Sequence, residues 1–129
     1  MPMKAKQKLT NSELQVMECL WQLPESKGFG KDITEKFPDP KPAYNTVATF
    51  LQILEKKGFV ESFHQGRKLI FHALVSRDEY ARFSIKDTTR AFFGGSFARL
   101  VSFFAQEEKL SQEEIDEILT IIKEGKNEH

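Results

Sequence analysis

The segment from Ala43 to Gly58 limits the possible folds of this chain more than any other. Val47, Phe50, Leu51 and Leu54 recur at i, i+3, i+4 and i+7, the spacing of one apolar stripe on an α-helix, and Gly58 stands where a left-handed C-terminal cap belongs. At 100° per residue, Asn45, Thr49, Gln52 and Lys56 fall roughly opposite that stripe. Such a helix buries one side against other elements and leaves the other free. The free side is polar, short and uncharged until its last turn.

The flanking segments provide a core for the apolar side. Thr10-Asn11-Ser12-Glu13 is a capping box, and Leu14, Met17, Leu20 and Trp21 line one stripe of a first helix that ends near Leu23, ahead of Pro24. Gly28 and Gly30 predict a turn. Residues 32–37 predict a short second helix, with Ile33 and Phe37 four apart, and Pro38, Pro40 and Pro42 forbid its continuing. After Gly58, residues 59–63 and 69–73 are rich in aromatic and branched side chains, and His64-Gln65-Gly66-Arg67-Lys68 lies between them as the basic tip of a hairpin. Three helices followed by a two-stranded hairpin make a winged helix-turn-helix arrangement, mainly α with a small β-hairpin. The third helix would be the reader and the hairpin the wing.

A second set of helices follows. Ser76-Arg77-Asp78-Glu79 opens one that runs toward Phe92 and ends at Gly94-Gly95. Phe97, Leu100, Val101 and Phe104 share the spacing of an apolar stripe, as do Ile115, Ile118, Leu119 and Ile122 after the Ser111-Gln112-Glu113-Glu114 box. Of 12 phenylalanines, six lie between Phe83 and Phe104. Three short helices cannot enclose so many rings, so Phe92, Phe93, Phe97, Phe103 and Phe104 leave an apolar patch on a single copy. The patch is expected to pair with a second copy through Phe92, Phe93, Phe97, Leu100, Val101, Phe104, Ile115, Ile118, Leu119 and Ile122. A ligand pocket among the Phe residues and a self-contained core are the alternatives. The chain thus divides into a winged-helix domain over residues 1–75 and a helical dimerisation domain over 76–129.

Charge follows the same division. The 129 residues carry 19 basic and 19 acidic side chains, but residues 1–75 hold 11 basic and 8 acidic, and residues 76–129 the reverse. An anionic partner would approach the first half. The lone Cys19 cannot form an internal disulfide, and no Cys/His cluster has zinc-site spacing, so neither metal nor cofactor is expected. No secretory signal and no membrane-spanning run is present, which reads as a cytoplasmic chain without membrane insertion. His64 and His72 lack the partners of a catalytic triad, Glu113 and Glu114 lie on a solvated helix, and Gly94-Gly95 is a helix end rather than a phosphate loop. No enzyme activity is expected.

A helix that enters the major groove needs short side chains with amide and hydroxyl groups that bond base edges or phosphates. Asn45, Thr46, Thr49 and Gln52 meet that need, and an ordinary solvated helix face is the bland alternative. Arg67 and Lys68, with His64 nearby, are placed to grip phosphate, and Lys4, Lys6 and Lys8 add three positive charges before the first helix. A winged-helix module that docks on protein, and a small-molecule-responsive regulator, remain as rival readings.

Residues 9–21 (LTNSELQVMECLW), residues 44–60 (YNTVATFLQILEKKGFV), Gly94-Gly95-Ser96-Phe97 and residues 110–115 (LSQEEI) together resemble the penicillinase and methicillin-resistance repressor family, in the same order over nearly the whole chain. The resemblance implies a homodimeric winged-helix repressor on an inverted-repeat operator in double-stranded DNA. It places contacts at Asn45, Thr46, Ala48 and Thr49 and, in the wing, at Gly66 to Lys68. Ala48 lacks the long basic side chain of some relatives, so the base sequence read differs. Relatives of the β-lactam branch are inactivated by proteolysis, commonly at an Asn-Phe bond; the matching bond here is Ser102–Phe103, which keeps Phe but not Asn. A membrane sensor protease is the further partner this implies. The copper-responsive branch carries C-terminal cysteines, and this chain has none there.

Overall fold

Thr10 opens the first helix, α1 (Asn11–Trp21), as the spacing predicts: its Oγ1 accepts the Glu13 amide at 3.2 Å, and the Glu13 carboxylate accepts the Thr10 amide at 2.9 Å. The computed structural model describes residues 7–108 and 110–127. The chain divides into two compact units, with the break between Ile85 and Lys86.

In the first unit, α1 is followed by a single 3₁₀ turn (Pro24–Ser26), β1 (Lys27–Phe29), α2 (Gly30–Glu35), α3 (Tyr44–Lys56), β2 (Val60–Gln65), β3 (Lys68–Ala73) and the start of α4 (Arg77–Phe93). The sheet is antiparallel in the order β1-β3-β2. Met17 and Leu20 of α1, Ile33 of α2, Leu51 and Leu54 of α3, and Phe59 are all fully buried in one core. Each such side chain contributes about 1.5–3 kcal/mol of transfer free energy. Leu14, Trp21 and Phe50, predicted on the apolar stripes, pack half-buried against its edge.

Three expectations are corrected. Gly28 lies in a strand rather than a turn: β1 pairs with β3 through Gly28–Phe71, a partner far away in sequence that local spacing cannot reveal. The second helix starts at Gly30, where the Asp32 carboxylate accepts the Phe29 amide at 3.1 Å and caps it, and it ends at Glu35; Phe37 is buried beyond its end. The hairpin strands reach Gln65 and Lys68, which pair with each other, so the tip shrinks to Gly66-Arg67, with Gly66 at φ +66°.

The start of α4 packs on this core. Tyr80 is buried, its ring is 5.8 Å from Phe59 and 6.5 Å from Trp21, and its hydroxyl accepts the Leu9 amide at 2.8 Å. The Trp21 indole donates to the Val75 carbonyl at 2.9 Å. These contacts explain why the first unit runs to Ile85 although the hairpin ends at Ala73.

In the second unit, α4 ends at Gly94-Gly95, both in the left-handed region, and α5 (Phe97–Glu108) and α6 (Gln112–Asn127) follow. Ser96 and Ser111 accept the Arg99 and Glu114 amides and cap the two helices.

One buried ion pair fastens the start of α1 to the end of α3. Glu13 is only 4% exposed, and the Lys57 ammonium, which follows the last residue of α3, donates to both of its oxygens at 2.8 Å. Burial pushes the Glu13 carboxyl up, but the hydrogen bonds from Lys57 and Thr10 and the lysine charge outweigh it and hold the group below its ordinary value of 4.5. A carboxyl depressed in the folded state adds stability above its unfolded pKa and loses it as pH falls through the folded value. Lys57→Met strands a buried carboxylate, and the expected cost is about 2–3 kcal/mol at pH 7 by urea denaturation. The gap to the parent should narrow as pH falls through the folded value of Glu13 and the carboxylate takes a proton.

Candidate nucleic-acid interface

Helix α3 separates its two faces sharply. Val47, Leu51 and Leu54 are 1%, 0% and 0% exposed, whereas Asn45, Thr46, Thr49 and Gln52 are all exposed. Ala48 is half-buried, so only an edge of its methyl is available. The Thr49 hydroxyl donates to the Asn45 carbonyl at 3.0 Å. Its proton is therefore committed within the helix, and Thr49 offers the outside an acceptor and a methyl group. Asn45 keeps its full amide, with both donors and acceptor, for an external partner. Thr46 turns toward one flank, where it lines a groove of about 370 Å³ with Ser12 and Gln15 of α1 and Asp39 and Pro40 of the connecting loop.

No side chain caps the N-terminus of α3, so its first amides add positive potential beside Asn45. The base of the hairpin is tied to the other end of the same helix, where the Ser62 hydroxyl donates to the Glu55 carboxylate at 2.9–3.0 Å. At the tip, Arg67 is exposed and pairs with no carboxylate among the described residues. Lys68 leans back, with its ammonium 5.6 Å from the centre of the Phe29 ring on β1. Arg67 is thus the freer of the two predicted wing cations. His64 is exposed, and His72 lies 2.9 Å from Glu61 across the sheet. Lys4 and Lys6 lie outside the described residues; Lys8 is exposed.

Cys19 is buried, and burial together with the neighbouring Glu18 charge pushes its thiol up, away from the reactive thiolate. Among the described residues, no group of three His, Cys, Asp or Glu side chains gathers to hold a metal, and no helix is long and apolar enough to cross a membrane.

The second unit presents an apolar groove of about 510 Å³ that Phe93, Phe97, Leu100, Val101, Phe104, Ile118 and Ile122 help to line, all of them on the predicted pairing surface. Phe97, Phe104 and Ile122 are 55%, 53% and 45% exposed. Phe92, Ile115 and Leu119, also predicted there, lie outside the groove wall, and Phe92 is 75% exposed. Phe103 lies within the wall, its ring 5.5 Å from that of Phe93, and Ser102 before it is exposed. Leu110 and Ile121 complete the lining and were not predicted; Leu110 stands ahead of its helix, where periodicity gives no signal. Two features of the first unit also escaped sequence reasoning: Tyr44, 53% exposed at the start of α3, and the Glu55–Ser62 tie.

Comparison with known proteins matches residues 9–124 to the penicillinase repressor family. The chain is 27% identical over 125 residues to the penicillinase repressor of Bacillus licheniformis, covering 97% of each chain. It is 26% identical over 115 residues to the methicillin resistance regulatory protein MecI of Staphylococcus aureus (strain N315), covering 88% of this chain and 92% of the relative. Among solved structures it is similar to Bordetella bronchiseptica BpsR, whose DNA binding is regulated by 6-hydroxynicotinic acid, at a TM-score of 0.46 and 19% identity over 79% of this chain and 74% of that one. The chain belongs to the penicillinase repressor family, a family of transcriptional repressors rather than enzymes.

Proposed function

We propose that this chain is a sequence-specific DNA-binding repressor that acts in the cytoplasm as a homodimer on an inverted-repeat operator. The carrying observation is the division of α3 between a fully buried apolar stripe and an exposed face of Asn45, Thr46, Thr49 and Gln52. On this reading α3 enters the major groove. Asn45 pairs with a base edge through its amide, and Thr49 accepts from a base amino group or packs its methyl on thymine. Ala48 and Gln52 border the same face, and Arg67 and Lys68 hold the backbone through the wing.

The apolar groove of the second unit supports pairing. Rings as exposed as Phe97, Phe103 and Phe104 make a single copy costly in water, and a second copy of the same surface covers them with the symmetry an inverted repeat requires. A paired reader also places its second helix at high effective concentration on the second half-site. Scission at Ser102–Phe103, the bond that matches the family's cleavage position, would divide the lining residues between two fragments and release the pair, which is the switch a membrane sensor protease would throw.

Asn45→Ala with Thr49→Ala is expected to cut the preference for a selected duplex over a random one at least tenfold, from about 1–3 kcal/mol per lost base contact, measured by competition binding. An unchanged preference would reject this reading face. Arg67→Ala is expected to weaken binding to every duplex alike and to lower the slope of log affinity against log salt by about 1. Phe97→Asp with Phe104→Asp is expected to give single copies in sedimentation and a loss of operator affinity of at least a hundredfold, with the melting of the first unit unchanged.

A further inference from the structure

We infer that Tyr44 is a DNA-backbone contact, its phenol aimed at a phosphate beside the groove that α3 occupies, and that Gly30 is glycine so that the ring can stand there. This rests on the proposed role of α3. Tyr44 is the first residue of that helix and is 53% exposed. Its hydroxyl has no hydrogen-bond partner among the described residues.

The ring lies against the backbone of the buried Gly30. A Cβ at position 30 would stand 2.9 Å from Tyr44 Cε1 and 3.2 Å from its hydroxyl oxygen, so the ring would have to move aside. The backbone there cannot easily give way. The Asp32 carboxylate accepts the Phe29 amide at 3.1 Å, and the Thr34 hydroxyl donates to the Gly30 carbonyl at 2.8 Å. Gly30 is not in the left-handed region, so no turn requires a glycine at this position. A side chain at this position would instead push the Tyr44 ring out of its place.

Placement on the helix decides what the phenol meets. At 100° per residue Tyr44 lies roughly 100° from Asn45 and 140° from Thr49. With those two facing the floor of the groove, Tyr44 faces its wall, which is sugar and phosphate. A neutral hydroxyl that donates to phosphate adds affinity without sequence preference, and it displaces no counterion because it carries no charge. That separates it from Arg67, whose loss must flatten the salt slope.

The test uses the full chain with two probes, a duplex selected from a random pool and a random duplex of equal length. Tyr44→Phe keeps the ring and is expected to weaken both by the same factor, about tenfold, with the salt slope and melting temperature unchanged. Gly30→Ala is expected to weaken binding comparably in the parent and to add nothing on a Tyr44→Ala background, as two changes acting through one ring must. Parental affinity in Tyr44→Phe would overturn the inference, as would a shift in base preference, which would make Tyr44 a reader of bases. Additive losses from Gly30→Ala and Tyr44→Ala would overturn the role of Gly30. If the Asn45 and Thr49 double variant still loses preference, only Tyr44 has failed; if it does not, the reading of α3 has failed with it.

Discussion

The burial of Val47, Leu51 and Leu54 against α1, α2 and Phe59 is the constraint on which everything else in this molecule depends. A helix has one rotation about its axis that hides those three side chains, and that rotation puts Asn45 and Thr49 outside. No separate device aims the polar face. Any change that rolls α3 would expose core and bury amides together, at several kcal/mol, so the exposed polar face is as rigid as the core is well packed.

Contacts at both ends hold the helix against sliding, and those at its C-terminal end are polar. Glu13 and Lys57 pin its C-terminal end to the start of α1, and Ser62 joins Glu55 to the root of the hairpin. At the N-terminal end the Tyr44 ring rests on Gly30. A buried ion pair is no strong source of net stability, since desolvation consumes most of its attraction. Its value is register: Glu13 serves both the cap of α1 and Lys57, so one position of α3 satisfies it fully. The second unit follows a different rule, leaving its best apolar surface open to water. One unit is built to be complete alone, and the other is left unfinished.

The helices were legible because their apolar residues repeat at a short period and their caps are local: Thr10 with Glu13, Ser76 with Glu79, Gly58 at φ +85°. The hairpin was legible from its branched and aromatic runs on either side of Gly66. Strand β1 was not, because three residues carry no period and its partner Phe71 is 43 positions from Gly28. Lys57 reads like Lys56 in the sequence, yet one is bonded to a buried carboxylate and the other is exposed. The same limit applies to the candidate interface. Periodicity told which side of α3 is free, but the donated Thr49 proton and the lean of Lys68 onto Phe29 belong to the folded structure alone. Contacts made across the fold, rather than along the chain, are what composition and spacing cannot carry.

The most direct measurement is the selection of duplexes from a random pool by the full chain, followed by sequencing of what is retained. Two rigid readers related by a two-fold axis should enrich an inverted repeat whose half-site centres lie about one helical turn apart, roughly 34 Å, or a whole multiple of it. Enrichment of a single unrepeated site, of a direct repeat, or of no sequence at all would contradict a paired α3 as the reader.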